Sequence, residues 1–334
     1  MGEQHHAVAV VGGRLLTDLV DVTSDLAALD GSGFWAVVVP FEGEPLCARF
    51  ATVRPARPWR GPAWKGPSPD SWTSSLDEHE FRAGVVTIRD AIAAGDVYQV
   101  NLTRRLTAPL RHDDDVAALG AALGVGNPAP YAAVVRVPSA DCHVASASPE
   151  RFLRRDGQIV VSSPIKGTAD TPDGFLPKDR AENVMIVDLV RNDLGRVCEH
   201  GTITVPALCA VEEHPGLAHL VSTVQGRLRP GLGWPELLAA AGPPGSVTGA
   251  PKLAALDMIA RLEPVPRGVY CGAVGWVDAD RQQGELNVAI RTFWIEDGHL
   301  HLGTGGGITW DSTPAGEWAE TELKARRLLT VASS

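Results

Sequence analysis

A single lysine stands at the end of a strand-like segment, within the sequence SPIKGTADTP. Lys166 follows the apolar run GQIVVSS and precedes a Gly-Thr pair. Burial disfavours the charged form of a lysine, and the amine is a nucleophile only when it is neutral. The residue types alone leave open why a cation stands where desolvation disfavours it, and a salt-bridged lysine at a strand end is one explanation.

Two pairs of acidic residues occur at helical spacing. Asp179 and Glu182 lie three residues apart in KDRAENVMIVDLVRNDLGR. Glu317 and Glu320 have the same spacing in GEWAETELKARRLL, so each pair shares one helix face. If the two helices converge, their carboxylates would suit Mg²⁺, which binds one or two of them and keeps several waters. The alternatives are favourable contacts with the helix dipole and an i,i+4 ion pair between Glu320 and Lys324.

Two further charged residues interrupt apolar segments. Glu150 closes the strand-like run SASPERFL, where burial would raise its pKa and make it a general acid. A salt bridge to Arg151 or Arg154 is the alternative. Arg291 lies within NVAIRTFWI, and a buried guanidinium needs a partner, for which a ligand carboxylate bound bidentately is a good candidate.

Two glycine-rich segments could contact a ligand through the backbone. The glycines in LGTGGGIT would let a ligand approach the amides of 305–307, although a plain bulge or turn explains them equally. The segment GPPGSVTGAPK lacks the Gly-Lys-Ser/Thr sequence of a phosphate loop, which disfavours an ATPase. It predicts a helix start that either binds an anion or is only a cap.

Hydrophobic patterning predicts a small number of long helices. They cover 76–94, 178–194, 251–262 and 315–329. Ser75 with Glu78 suggests a capping box for the first helix. Thr313 suggests the N-cap of the last helix, with Pro314 in its first turn.

Strand-like segments are joined by short Gly and Asp turns, as in the hairpin-like TFWIEDGHLHLG. The candidates are VYQVNLTRRL, YAAVVRV, GQIVVSS, TITVPA, HLVSTVQGRL, GAVGWVD, ELNVAIRTFWI and HLHLGTGGGI. This mixture predicts an α+β fold of two packed antiparallel β-sheets surrounded by helices. The Pro-, Gly- and Trp-rich stretch 54–74 separates a short N-terminal segment, 1–74, that contributes strands to the same fold from a catalytic domain, 75–334.

Charge and cysteine content exclude several classes of protein. The 334 residues carry a formal charge of −10, which argues against nucleic acid or a membrane surface as a partner. No segment resembles a membrane span or a leader, so a cytoplasmic location is expected. The cysteines lack a CxxC pair, which argues against a disulfide framework or a cysteine zinc site. They are Cys47, Cys142, Cys198, Cys209 and Cys271.

Taken in order, the motifs resemble those of the chorismate-utilising enzyme family. The resemblance runs from about residue 75 to 330, through GDVYQVNLTRRL, SPERFL, PIKGT, DRAENVMIVDLVRNDLGR, HLVSTVQG, GPPGSVTGAPK, RGVYCGAVGW, ELNVAIRTF, GTGGGI and AETELKARRLL. It implies the α+β fold of that family and an active site that binds Mg²⁺ and the dicarboxylate chorismate.

The resemblance also implies a role for each candidate residue. Glu182 and Glu320 match the metal ligands, and Asp179 and Glu317 match residues that hold metal-bound waters. Glu150 matches the general acid. The positions that match contacts to chorismate are Gly167, Thr168, His219, Tyr270, Arg291, Gly305, Gly306 and Gly307.

The residue before the Gly-Thr pair distinguishes reactions within this family. The sequence PIKGT resembles the aminodeoxychorismate synthases, whereas anthranilate synthases read PIAGT, and water-using members carry a lysine where this chain has Gln99. The combination implies amination of chorismate at C4. Lys166 would add at C2 while Glu150 protonates the departing hydroxyl. Another chorismate aminase, of the anthranilate synthase type or in a natural-product pathway, is the alternative.

The resemblance further implies a partner that supplies ammonia. No cysteine lies in a Gly-rich nucleophile turn, so we expect a separate glutamine amidotransferase subunit. Relatives build a tryptophan pocket in their N-terminal part, which residues 1–74 match less clearly. We therefore expect no regulation by tryptophan.

Overall fold

The computed structural model describes residues 6–111, 115–169, 171, 173–175, 177–214 and 217–334. Over these ranges the strands pair in the antiparallel sense, and long helices lie against them. The predicted α+β class is confirmed. No helix within these ranges is both long and apolar enough to cross a membrane.

The four predicted helices are confirmed to within three residues at each end. The α-helices of the described chain are α1 Glu78–Ala94, α2 Val116–Gly126, α3 Pro177–Gly195, α4 Trp234–Ala241, α5 Lys252–Leu262 and α6 Pro314–Ala332. Patterning missed α2 because its sequence, VAALGAALGVG, has no polar face to create a helical period. It missed α4 because eight residues give too short a window.

The N-cap of the first helix lies two residues later than predicted. Asp77 is the N-cap, and it exchanges hydrogen bonds with the backbone and side chain of Glu80 as a capping box. The prediction of a box between Ser75 and Glu78 was wrong because Ser75 is held at the sheet edge, where its hydroxyl accepts from Arg105 N at 2.9 Å. At the last helix, the predicted Thr313 cap is confirmed.

Most of the strand candidates form strands. The strands are β1 Val8–Val11, β2 Arg14–Thr23, β3 Phe34–Val39, β4 Leu46–Pro55, β5 Thr73–Ser74, β6 Gln99–Pro109, β7 Tyr131–Val137, β8 Cys142–Ser148, β9 Arg151–Asp156, β10 Ile159–Ser163, β11 Ile165–Ala169, β12 Thr204–His214, β13 Leu217–Arg227, β14 Gly249–Ala250, β15 Ala273–Asp278, β16 Gln283–Val288, β17 Thr292–Glu296 and β18 His299–Ile308.

Two details of the last strands follow from backbone geometry. The predicted hairpin is present as β17 and β18, joined by Asp297 and Gly298, which both have positive φ as a tight hairpin turn requires. The candidate ELNVAIRTFWI is two strands rather than one. The chain breaks between β16 and β17, where Arg291 has a φ of 51°.

The strands follow one continuous hydrogen-bonded path that folds back on itself. The order is β12, β13, β10, β9, β16, β15, β3, β4, β2, β1, β7, β8, β17, β18 and β6, with β11 also on β13 and with β5 and β14 on β6. The two halves of the path face each other, since Asn287 on β16 donates from Nδ2 to Ser146 Oγ on β8 at 3.1 Å. The fold brings β11 and β13, near one end of the path, close to β18 and β6 at the other.

Helices on the two ends of this path position the acidic residues. Helix α3 packs on β11 and β13, and α6 packs on β18 and α1. On α1, the buried face contains Phe81, Val85 and Ile88, which cluster with Leu102 of β6. The N-terminal strands belong to the same path, because β1 pairs with β7 and β3 pairs with β15. The division at residue 74 stays a prediction.

Candidate active site

The amine of Lys166 is directed into the protein. The residue lies on β11, is partly buried, and donates from Nζ to the backbone carbonyl of Ser246 at 2.9 Å. Burial lowers the pKa of Lys166, and the negative charges of Glu182 and Glu150 oppose that shift. The lysine is therefore less basic than an exposed one, as a nucleophile requires.

Glu150 lies beside this amine in the loop between β8 and β9, and it is 4% exposed. Burial raises its pKa to about 7, against the opposing effects of a hydrogen bond from the Ser246 hydroxyl and of the Lys166 charge. The alternative salt bridges are absent within the described chain. Arg151 pairs with Glu285, and Arg154 lies 3.8 Å from Asp156. Glu150 can hold a proton near neutral pH.

Ser246 joins the two groups and was not singled out from the sequence. Its carbonyl accepts from Lys166, and its hydroxyl contacts Glu150. It lies in GPPGSVTGAPK, the segment interpreted above as a helix cap or an anion site. The lysine of that segment, Lys252, is held by Asp193 Oδ2 at 2.6 Å and Ala241 O at 3.0 Å. The loop therefore contacts the Lys166 amine through a backbone carbonyl.

Acidic residues of α6 reach over the glycine-rich end of β18. A Cβ placed on Gly306 would lie 3.0 Å from Glu317 Oε2 and 3.9 Å from both Glu320 Oε1 and Lys324 Nζ. Only glycine leaves this space open. The ion pair that was the alternative for Glu320 is also present, with Lys324 Nζ at 2.7 Å from Glu320 Oε1. The same amine donates to the carbonyl of Gly305 at 2.9 Å.

Acidic residues of α3 approach from the other side. Asp179 packs on Gly167, where a side chain would lie 2.9 Å from Asp179 Cβ and φ is 89°. The pKa of Glu317 is raised, first by burial and then by the negative charges of Glu320 and Glu182. The two helices thus bring carboxylates of both acidic pairs into one electrostatic environment.

This arrangement suits a divalent cation. Among the described residues, no group of three or more His, Cys, Asp or Glu side chains is arranged so that it could hold a metal ion. The donors are nevertheless carboxylate oxygens, which Mg²⁺ prefers, and they crowd a space that a single Cβ on Gly306 would fill. Burial first, and then the negative charges of Glu320 and Glu182, raise the pKa of Glu317, and a bound cation would offset that repulsion.

Gln99 lies at the start of β6, beside Gly307 of β18. It is fully buried, and neither atom of its carboxamide has a hydrogen-bond partner within the described chain. A Cβ on Gly307 would lie 2.2 Å from Gln99 Nε2 and 3.5 Å from Lys166 Nζ. A buried amide without partners is costly, so a polar ligand at this point would satisfy it.

The remaining candidates lie on neighbouring strands. His219 on β13 is 3% exposed, and its backbone pairs with Thr168 of β11. The side chain of Thr168 is outside the described part of the chain. Tyr270 is 6% exposed, and its ring fills the place of a side chain at Gly303 on β18. Burial raises its pKa well above the ordinary value.

Arg291 occupies the break between β16 and β17. Burial lowers the pKa of its guanidinium, and no ion pair with it occurs among the residues that the structure describes. A left-handed backbone is uncommon for a non-glycine residue, and such strain concentrates at functional sites. Arg291 is therefore available to a carboxylate ligand. The substrate contacts remain predictions.

Comparison with known proteins identifies relatives of this fold. Residues 57–330 match the family model of chorismate binding enzymes. The chain is 43% identical over 271 residues to anthranilate synthase component 1 of Streptomyces coelicolor, covering 78% of this chain and 52% of the relative. It is 41% identical to aminodeoxychorismate synthase component 1 of Klebsiella aerogenes, covering 78% and 59%. The chain thus spans between half and three-fifths of these relatives.

Solved structures of similar fold include enzymes of a third reaction type. A 2,3-dihydroxybenzoate-specific isochorismate synthase from Bacillus anthracis has a TM-score of 0.80 and 26% identity, over 98% of this chain and 96% of that one. Anthranilate synthase component I from Streptococcus pneumoniae has a TM-score of 0.76 and 25% identity, over 97% and 90%. The predicted fold is confirmed by these likenesses.

Proposed function

Because the chain belongs to the family of chorismate binding enzymes, we propose that it aminates chorismate at C4 with ammonia and forms 4-amino-4-deoxychorismate. The observation that carries this proposal is the arrangement at Lys166, a partly buried amine 2.9 Å from the Ser246 carbonyl and beside an acid whose pKa is about 7. An anthranilate synthase reads alanine at this position, so a lysine here supports a different route to the substrate ring.

The chain's own residues account for each proton and bond. The neutral amine of Lys166 forms a bond to C2 as the ring double bonds shift and the C4 hydroxyl leaves. Glu150 gives that hydroxyl its proton, so that water departs. Ammonia then adds at C4, the double bonds shift back, and the C2–N bond to Lys166 breaks. The carboxylate of Glu150 takes up the proton that the added nitrogen loses.

Other residues would bind and orient the substrate. Arg291 would hold one carboxylate, and amides of β18 at 305–307 would hold the ring close to Lys166. Glu182 and Glu320 would bind Mg²⁺, with Asp179 and Glu317 holding its waters. When bound, Mg²⁺ polarises the substrate oxygens that carry developing charge.

A glutamine amidotransferase subunit is the proposed source of ammonia. The name "component 1" of two relatives supports a partner subunit. Free ammonium would replace the partner at high concentration. The reaction is proposed to occur in the cytoplasm.

Product identity tests the proposal. Purified protein would be incubated with chorismate, Mg²⁺ and ammonium, and the products identified by mass spectrometry. We expect 4-amino-4-deoxychorismate. Anthranilate would instead support the second candidate, amination at C2, which the 43% identity to an anthranilate synthase component favours. Isochorismate as the product would exclude both.

A further inference from the structure

A buried arginine outside the substrate-binding set ties the two sides of the candidate active site together. Arg267 is 3% exposed and donates from Nη1 to Val247 O and from Nη2 to Asn101 O, both at 2.7 Å. Val247 follows Ser246, whose carbonyl receives the Lys166 amine. Asn101 pairs with Gly307 across β6 and β18. One guanidinium therefore connects the loop that contacts the Lys166 amine with β6, the strand that contains Gln99.

Glu263 receives two more hydrogen bonds from the same guanidinium. Glu263 accepts from Arg267 Nε at 2.8 Å and from Nη2 at 2.7 Å, and its Oε1 also accepts from Thr103 N of β6 at 2.8 Å. The ring of Phe41 covers the guanidinium at 4.6 Å. A planar fork with fixed donor directions can hold two carbonyls and a carboxylate at once, whereas a lysine ammonium cannot reproduce that geometry.

We propose that Arg267 is a positioning residue for Lys166. By fixing the distance between Val247 and β6, it holds the Ser246 carbonyl where it receives the amine, and the Ser246 hydroxyl where it meets Glu150. The inference rests on the proposed function, in which that amine attacks the substrate. Positioning of the nucleophile affects the chemical step more than it affects the binding of chorismate in the ground state.

A merely structural arginine would behave differently, and the chain offers a matched control. Arg155 is 6% exposed, donates to Gly157 O at 2.9 Å and to Asp30 Oδ1 at 2.6 Å, and lies over the ring of Trp234. None of its contacts involves a residue proposed for catalysis. Arg155→Lys therefore also removes a buried guanidinium, but it leaves the contacts of Ser246 and β6 unchanged.

Kinetics separates the two roles. In Arg267→Lys we expect kcat to fall about 10- to 100-fold while KM for chorismate changes less than about threefold. In Arg155→Lys we expect kcat to stay within about twofold of the parent, even if its Tm falls as much as that of Arg267→Lys. Equal kcat in Arg267→Lys and Arg155→Lys overturns the proposal, as does a loss confined to KM.

A second measurement does not depend on turnover. Lys166 would be acetylated with limiting acetic anhydride, and the modified peptide quantified against an internal standard by mass spectrometry. Loss of the Ser246 partner should raise the acetylation rate of Lys166 about fivefold or more in Arg267→Lys and leave it unchanged in Arg155→Lys. If the parent protein fails to aminate chorismate but this contrast appears, the proposed function fails and the positioning role stands. If the parent turns over and the contrast is missing, the positioning role fails.

Glu263→Gln provides a second test of the proposal if Arg267→Lys does not fold. Its amide oxygen can still accept from Thr103 N and Arg267 Nη2, while the countercharge and the acceptor for Arg267 Nε are lost. We expect a smaller fall in kcat, about threefold or more, with KM nearly constant. An unchanged kcat in folded Glu263→Gln would also overturn the proposal.

Discussion

At the scale of single residues, the proposed function depends on two groups whose ordinary charges are disfavoured by burial. Lys166 loses basicity because it is desolvated, and Glu150 gains it for the same reason. Each then approaches the protonation state that its proposed role needs, a neutral nucleophile and a protonated acid. Their shared contact, Ser246, keeps the two groups adjacent without making them a simple ion pair.

Replacing the nucleophile tests the covalent route. In Lys166→Ala we expect amination at C4 to fall by at least about 10³-fold, because the attacking group is gone. Lys166→Arg is the control, since it keeps a positive charge in the pocket without a nucleophilic amine. The measurement is the rate of product formation with chorismate and ammonium. If Lys166→Arg retains most of the activity, Lys166 acts through its charge and forms no adduct.

The raised pKa of Glu150 predicts the direction of the pH dependence. With a pKa of about 7, the carboxyl is protonated below that pH and ionised above it. Since the proposed role needs the proton, kcat should fall up to about tenfold per unit as the pH rises above 7. The profile would be recorded at constant free ammonia. Glu150→Gln should lower kcat by about 10²- to 10⁴-fold and remove this dependence. An alkaline fall that persists in that variant belongs to another group.

At the scale of elements, the glycines of β18 leave space beside the candidate site because they have no side chains. A Cβ added at each glycine would meet different atoms. A Cβ on Gly305 would lie 2.4 Å from the backbone carbonyl of Leu102, whereas a Cβ on Gly307 meets the movable end of Gln99. The first glycine therefore permits strand pairing, and the second leaves space in the candidate site. Their substitution should have separable effects.

We expect Gly307→Ala to impair substrate binding without unfolding the protein. The added methyl would push the Gln99 carboxamide into the space proposed for chorismate and raise KM about tenfold or more. Gly305→Ala should instead lower the free energy of unfolding by about 1–3 kcal/mol. Gly124→Ala on α2 is the control, because no atom lies within 4 Å of its Cβ and alanine favours a helix. Denaturant unfolding and steady-state kinetics distinguish these outcomes. A normal KM in Gly307→Ala would place the substrate elsewhere.

At the scale of the whole molecule, the sequence predicts those elements that depend on hydrophobic periodicity and on local capping or turn residues. The capped, amphipathic helices and the β17–β18 hairpin were predictable because Thr313 and Gly298 mark their ends. The long path of strands was not, since pairs such as β3 with β15 and β1 with β7 join segments far apart in the chain. For the same reason Arg267 and Ser246 escaped detection, because their partners lie far away in sequence.

The folded path also predicts how Mg²⁺ should act on stability. Helix α3 packs near one end of the path and α6 near the other, so a cation shared by Glu182 and Glu320 would join the two ends. Because it would bind the folded protein alone, Mg²⁺ at about 100 times its Kd should add about 2.7 kcal/mol to the free energy of unfolding. For a chain of this size, that corresponds to a rise in Tm of several degrees. Thermal unfolding in Mg²⁺ and in a chelator measures it.

The acidic residues provide the decisive comparison. A variant carrying Glu182→Gln and Glu320→Gln should lose the Mg²⁺-dependent rise in Tm. Its Tm without the metal should be equal to or higher than that of the parent, because removing like charges relieves the repulsion on Glu317. Glu78→Gln on α1 is the control, since that exposed acid pairs only with Arg82 across one helical turn among the described ion pairs. If the Mg²⁺-dependent rise in Tm persists in the double variant and is lost in Glu78→Gln, the metal binds away from α3 and α6. The proposed position of the substrate beside Lys166 would then be wrong as well.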